Sequence, residues 1–494
     1  METSIMRGRP WRALLAVGAG VLCSLVLAQP SSAAPPTPSQ ACVNATNGDP
    51  NDGEISGRGA TFATRAQNAL ITGYTNDVCG TPNMVHYNDA TLEPGVPTGS
   101  GAGQVATSWR AEMFGGSDIP YDINTLNLFN GPCGTVGTAP PGTPLMSAMP
   151  NPCTDPASSV MSFPIAGSAV AFGINLQSAR DCGGAAIGTL RFTNLQISRI
   201  MGGDILNWNN PALRTGGQNA GLANCNVPIV RIPRQDKSGT TQIIKNYLAR
   251  ADATRAGGTP AATCDTARRW GVQPGQVTQP DDMNLDAQNR DWPGSPADPP
   301  AGVLASVPAT ATCSAVTRNA SNGTGPLLTT LNATPGGIGY ADLADMVGQT
   351  SLIRPELRNG TNTAFVRAED GSNANCSFSG LSLPGGGDPA LSVGLDPSDS
   401  WAYDQQGGHS DPTLTGSGYP ACGLTFALVY SGLSDTTSAP DPISRMTNNQ
   451  RRTLYSYYTY VLSSLGQARL SGVFYAPLPQ SWLTNLRSGF QDNF

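Results

Sequence analysis

Charge is scarce in this chain. Of 494 residues only 13% are charged, and the 34 acidic side chains outnumber the 28 basic ones. An acidic protein with no basic tract is not built to bind nucleic acid, so any anion it holds must be held locally. Histidine is rarer still, with only His86 and His409. So few imidazoles, and no CxxC spacing, argue against zinc and against a redox-active dithiol. Both histidines sit among polar loop residues with no G-x-S-x-G elbow, which argues against a serine hydrolase. Lysine is confined to Lys237 and Lys245, and arginine does every other cationic job. The composition makes Lys245 a solvated helix residue. Long apolar runs are missing too: Ala13 to Ala28 is too short for a membrane span, and no later stretch approaches one.

Arg7, Arg9 and Arg12 precede that run, and Ser31-Ser32-Ala33 supplies small residues for cleavage, so residues 1–33 read as a secretory signal peptide. Val21-Leu22 before Cys23 fits a lipid-attachment site badly. The mature chain is therefore expected to be soluble and exported, either secreted or periplasmic. Removing the leader takes Cys23 from the 11 cysteines and leaves an even number, which reads as disulfides. Neighbour pairing would join 42 with 79, 133 with 153, 182 with 225, 264 with 313 and 376 with 422, although the sequence leaves the connectivity open.

Residues 34–52 are rich in Pro, Ser, Asn and Asp and read as a linker. From Ile55 onward short apolar runs alternate with helical segments, which points to α/β architecture. Val170, Phe172, Ile174 and Leu176 alternate with smaller or polar residues and predict a half-buried strand, and Leu424 to Tyr430 looks similar. Segments 251–316 and 355–418 read as long decorated loops. Within the first, Asp282 to Asp286 resembles the start of a calcium loop, but Ala287 replaces the turn glycine and Pro293 the closing acid. Leu454, Tyr457, Tyr458, Val461, Leu462 and Leu465 follow helical spacing as a core stripe, with Gly466 as its stop.

The most informative stretch is Arg234-Gln235-Asp236-Lys237-Ser238-Gly239-Thr240-Thr241. It follows the strand-like Ile229, Val230 and Ile232, and it opens a helix whose apolar residues Ile243, Ile244, Tyr247 and Leu248 recur at helical spacing. Ser238 then sits near the N-cap, with the free N–H groups of the first turn directed at an anion. Three other small-residue clusters share this chemistry. Gly57 to Phe62 precedes a helical pattern, and Thr98 to Gly103 precedes another beginning near Gln104. Their glycines would let backbone amides approach a ligand, while Thr61 and Ser100 offer hydroxyls. Gly116-Ser117-Asp118-Ile119-Pro120 adds a carboxylate. The Asp236 to Thr240 segment also echoes the phosphorylated loop of ion-pumping ATPases, but those pumps need several membrane spans.

Taken in order, these motifs resemble the phosphate-binding protein of ABC-type phosphate importers. Further matches are Phe163-Pro164 with the strand to Leu176, Trp208-Asn209-Asn210-Pro211, Pro335 to Tyr340, Tyr419-Pro420 and Tyr475 to Pro479. The resemblance spans about residues 55–485 and implies a two-lobed periplasmic-binding-protein-like fold of type II. Lobe 1 is expected at 53–168 and 419–494 and lobe 2 at 169–418, with hinges near Gly167 and Cys422 and disulfide-bearing insertions. It implies that Thr61, the amide of Phe62, Ser100 and Asp118 bind phosphate from lobe 1, and Arg234, Ser238, the amide of Gly239 and Thr240 from lobe 2. Asp236 would brace Arg234. Lys237 stands where the family commonly has glycine.

The expectation is a monomeric solute-binding protein for inorganic phosphate, with no cofactor, metal or catalysis, and with an ABC-type permease as partner. The alternatives are a secreted scavenger or surface protein coupled to no permease and, further off, a phosphate-ester hydrolase. A related tetrahedral oxyanion stays open as the ligand.

Overall fold

A computed structural model describes Cys42 and residues 53–92, 98–108, 112–118, 160–234, 238–252, 309–310, 313–317, 323–381, 412–430 and 446–494. All of these lie in the compact unit Pro35–Phe494. The chain begins with β1 (Ile55–Gly59), a 3-10 turn (Thr61–Ala63), α1 (Thr64–Tyr74), β2 (Val85–Tyr87), α2 (Ser100–Ser108) and β3 (Phe114–Ser117). These strands are parallel, with β1 between β2 and β3. Next comes β4 (Val160–Ile174), then β5 (Arg191–Phe192), α3 (Asn194–Gly202), β6 (Val230–Ile232), α4 (Gly239–Ala251) and β7 (Ala315–Val316). After α5 (Thr324–Ala333) follow β8 (Gly337–Asp342), α6 (Leu343–Val347), four short strands β9 (Glu356–Arg358), β10 (Phe365–Val366), β11 (Glu369–Asp370) and β12 (Asn373–Ala374), and the long β13 (Cys422–Tyr430). The chain closes with α7 (Asn448–Val461), α8 (Ser464–Ala468) and α9 (Gln480–Asn493).

The main sheet runs β2-β1-β3-β13-β4-β8-β6-β7. The 15-residue β4 serves two lobes: from Val160 to Ala169 it pairs with β13, and from Val170 to Ile174 with β8. Two apolar cores follow from this. One gathers the stripe of α7 with Phe114, Phe163 and the α9 residues Trp482, Leu486 and Phe490. The other gathers Val170, Phe172, Trp208, Ile232, Ile244, Tyr247 and Tyr340, and takes in Tyr419, Cys422 and Ala476 where the chain crosses back. The fold is two-lobed α/β, with β4 and β13 as antiparallel crossovers lying side by side.

Several local expectations need correction. The strand around Val170 is buried on both faces, because lobe 2 packs residues against each side of the shared sheet. Lys245 is buried, since Gly239 to Lys245 are buried without interruption and the first two turns of α4 have no solvent face. Gly466 does not stop the aromatic helix. That helix ends at Val461, Ser463 caps α8, and a Cβ on Gly466 would lie 2.2 Å from the Tyr460 carbonyl oxygen, so the glycine answers a close approach. Part of segment 355–418 is structured: β9 joins β10 and β5 in a small sheet, and β11 pairs with β12. From segment 251–316, Ala315–Val316 forms the edge of the main sheet. His86 belongs to strand β2 and contacts Asp89 and Glu54.

Disulfides join Cys42 to Cys79, Cys182 to Cys225 and Cys376 to Cys422. The last one ties the segment after β12 to the first residue of β13, at the crossover. Cys133, Cys153 and Cys264 lie outside the described residues, as do His409 and the Asp282–Asp286 segment. No helix among the described residues is long and apolar enough to cross a membrane.

Candidate functional site

The carboxyl ends of β1 and β3 open the site from lobe 1. Three glycine backbones press together there: a Cβ on Gly103 would lie 2.3 Å from the Gly116 carbonyl oxygen and 2.7 Å from Gly59 Cα. Gly57 abuts the Phe114 ring, and Gly59, at φ 152°, abuts Gly116. These glycines answer close backbone and ring approaches. They let α2 sit directly on β1 and β3. The consequence is positional, because Gly99 N donates to the Gly59 carbonyl at 2.8 Å and brings the start of α2 to the end of β1. The helix also starts earlier than the pattern near Gln104 suggested, with Ser100 as its first residue.

Ser100 and Asp118 meet in a reciprocal pair. Ser100 Oγ donates to Asp118 Oδ2 at 3.0 Å and accepts from Asp118 N at 3.1 Å. Thr425 of β13, which the sequence reading missed, donates to the Ser117 carbonyl at 3.3 Å and reaches Asp118 Oδ1 at 3.4 Å. It sits where a register irregularity interrupts the β13–β4 pairing, a feature with no local sequence mark. Asp118 is only 4% exposed. Burial pushes its pKa up to about 7, against the hydrogen bond from Ser100, the positive charge of Arg234 and the hydrogen bond from Thr425.

Thr61 and Phe62 start the 3-10 turn that follows β1. Thr61 is half-buried, and Phe62 is fully buried and packs with the lobe 2 core. The carbonyl of Phe62 accepts a hydrogen bond from Tyr475, so the Gly59–Phe62 and Tyr475–Pro479 motifs meet. Trp208 Nε1 donates to the Gly336 carbonyl at 2.9 Å and joins two other motifs in the same way.

Lobe 2 brings Arg234, just beyond β6, and the N-terminus of α4. Ser238 is the N-cap in extended conformation with no side-chain capping bond, and Arg234, Ser238 and Thr240 are all buried. The lobes touch at Gly239, where a Cβ would lie 2.5 Å from both Asp118 Cβ and Ser100 Oγ. Arg234 Nη1 donates to Thr324 Oγ1 at 3.0 Å, and Arg234 N donates to the Tyr340 hydroxyl at 3.3 Å. Thr324 was also missed, and the glycine before it, at the start of α5, was the available signal. Direct contact or charge thus links Ser100, Asp118, Arg234 and Gly239. Thr61 and Phe62 lie at the adjoining strand end, and Ser238 and Thr240 flank Gly239 in the chain. Asp236 and Lys237 lie outside the described residues.

Chemically this is a water-poor meeting of a guanidinium, a helix N-terminus, hydroxyls and one carboxyl group, which suits a tetrahedral oxyanion. Among the described residues no group of acidic, cysteine or histidine side chains could hold a metal ion.

Two lobes on a shared sheet, with buried polar groups from both at the contact, make a periplasmic-binding-protein-like fold. Residues 154–365 match the PBP superfamily domain. The fold is similar to that of the phosphate-binding protein from Stenotrophomonas maltophilia, at 16% identity and a TM-score of 0.51, with 88% of this chain and 93% of that one covered. It is also similar to a high-affinity periplasmic phosphate-binding protein, PfluDING, whose structure is bound with phosphate, at 17% identity, a TM-score of 0.52 and the same coverage of 88% and 93%. These likenesses are likenesses of fold. No curated protein matches the sequence.

Proposed function

We propose that the protein captures inorganic phosphate where its lobes meet and releases it unchanged. The observation that carries this reading is the buried contact of Asp118 and Ser100 with Gly239 at the start of α4, within the field of Arg234. Arg234 and the α4 amides supply positive potential from lobe 2. Thr61 and the Phe62 amide supply donors from lobe 1, Ser100 turns its one proton from Asp118 to the anion, and Ser238, the Gly239 amide and Thr240 complete the set.

Asp118 supplies selection. Phosphate near neutral pH still carries a proton that it donates to the carboxylate, whereas sulfate has none and would face an unpaired negative group. Losing such a charged contact costs about 1.5 to 3 kcal/mol. The disulfides and the leader-like first 33 residues support an exported protein, read here as a monomer, and the fold fits delivery to an ABC-type permease. In this reading lobe 1 comprises 53–168 and 419–494 and lobe 2 comprises 169–418, closing about β4 and β13. Calorimetry on phosphate-stripped protein tests it. Saturable binding at micromolar phosphate, about -8 kcal/mol, is expected, and no binding at millimolar phosphate sinks it.

A further inference from the structure

The lobe 2 half of the site comes in two pieces of chain, Arg234 beyond β6 and the turn that opens α4. Recognition needs both at once, because the guanidinium and the helix amides would have to address the same anion. One buried hydroxyl touches both pieces. Tyr340 lies in β8, beside β6, with Ile232 in register with Gly339. Its hydroxyl accepts from Arg234 N at 3.3 Å and lies 2.8 Å from Oγ1 of Thr241, in the first turn of α4. The phenolic oxygen accepts from the Arg234 amide and shares a hydrogen bond with Thr241 Oγ1 in which either hydroxyl can donate, so a single hydroxyl serves both partners. Tyr340 and Thr241 are 0% exposed and Arg234 is 2% exposed, which leaves no water to replace a lost bond cheaply.

We infer that Tyr340 is a positioning residue for oxyanion binding: its hydroxyl clamps Arg234 to the first turn of α4, so that guanidinium and helix amides meet the ligand as one preorganised unit. The inference rests on the phosphate reading for its ligand. Preorganisation raises affinity by removing ordering that the ligand would otherwise have to impose. Selection stays with Asp118 in the other lobe, so loosening the clamp weakens tetrahedral oxyanions alike and leaves their ranking unchanged.

The test uses the phosphate-stripped mature chain carrying Tyr340→Phe, Thr241→Val, both together, or Thr241→Ser. Binding of inorganic phosphate and of arsenate is measured by calorimetry, and amide hydrogen exchange is followed in the free protein. Tyr340→Phe and Thr241→Val should each weaken phosphate by about tenfold. The double variant should be no weaker than the poorer single one. Thr241→Ser should keep wild-type affinity, and the phosphate-to-arsenate ratio should not move. Exchange at Arg234 and Gln242 should quicken in Tyr340→Phe. Affinity within twofold of wild type in both single variants, or losses that add in full, overturns the clamp. If Tyr340→Phe does not fold, the Thr241 pair decides by the same criterion. If the wild type binds no phosphate, the reading above fails by itself, and exchange then decides the clamp: unchanged exchange overturns it.

Discussion

Replacing Asp118 by Asn separates the cost of burying this carboxyl group from its use. Burial lifts the Asp118 pKa from an ordinary 3.8 to about 7, with Ser100, Arg234 and Thr425 pulling the other way. A folded-state pKa above the unfolded one means that the native state prefers the protonated form. The associated stability is fully present below about pH 4 and is lost as pH rises through about 7. A rise of roughly three units, at about 1.4 kcal/mol per unit, is on the order of 4 kcal/mol. Asparagine cannot ionise and lacks this dependence. In urea unfolding of phosphate-free protein, the stability of Asp118→Asn relative to wild type should therefore grow by a few kcal/mol between about pH 4 and pH 7 and level off above that. A gap that stays constant, or that closes as pH rises, would mean that the charge of Arg234 outweighs burial, and the reasoning would be refuted. The same titration governs selection. Above pH 7 the carboxylate accepts from a protonated anion, and below it the acid can donate to sulfate. The phosphate preference of the wild type should increase with pH, and that of Asp118→Asn should be weak and nearly flat.

Arg234→Ala should weaken phosphate and sulfate together, by about 1.5 to 3 kcal/mol each in calorimetry, because a charge-assisted donor serves both; a loss confined to one anion would contradict this. Gly239→Ala places a methyl group against Asp118 and Ser100. It should lower phosphate affinity more than tenfold and abolish ligand-induced compaction in small-angle scattering, since the side chain holds the lobes apart. Compaction at wild-type phosphate concentrations would remove Gly239 from the bound contact. Replacing Cys376 and Cys422 by Ala should cost about 2 to 4 kcal/mol in urea unfolding; an unchanged midpoint would show that the crossover needs no cross-link.

What the sequence could disclose depended on how local the cause was. Ser238 at the start of α4 was legible because strand, breaker, hydroxyl and helical periodicity stand next to one another in the chain. The aromatic stripe of α7 was legible for the same reason. The packing role of Gly57 and Gly59 was hidden, because a glycine that admits a ligand and one that admits a neighbouring strand look alike until Phe114 and Gly116 are in place. The burial of Lys245 and of both faces of β4 was hidden, since alternation and charge say nothing about a second layer of packing. Thr324 and Thr425 were hidden by distance. Thr324 lies 90 positions from Arg234, and Thr425 lies 307 from Asp118, so only the folded sheet makes them neighbours.

The central claim is that groups from both lobes surround one small anion. A crystal structure of the mature protein grown with phosphate tests it most directly. The account predicts a single buried phosphate bonded to Ser100, Asp118, Arg234 and the first amides of α4. Phosphate elsewhere, or Asp118 and Arg234 facing solvent with no anion between them, would contradict it.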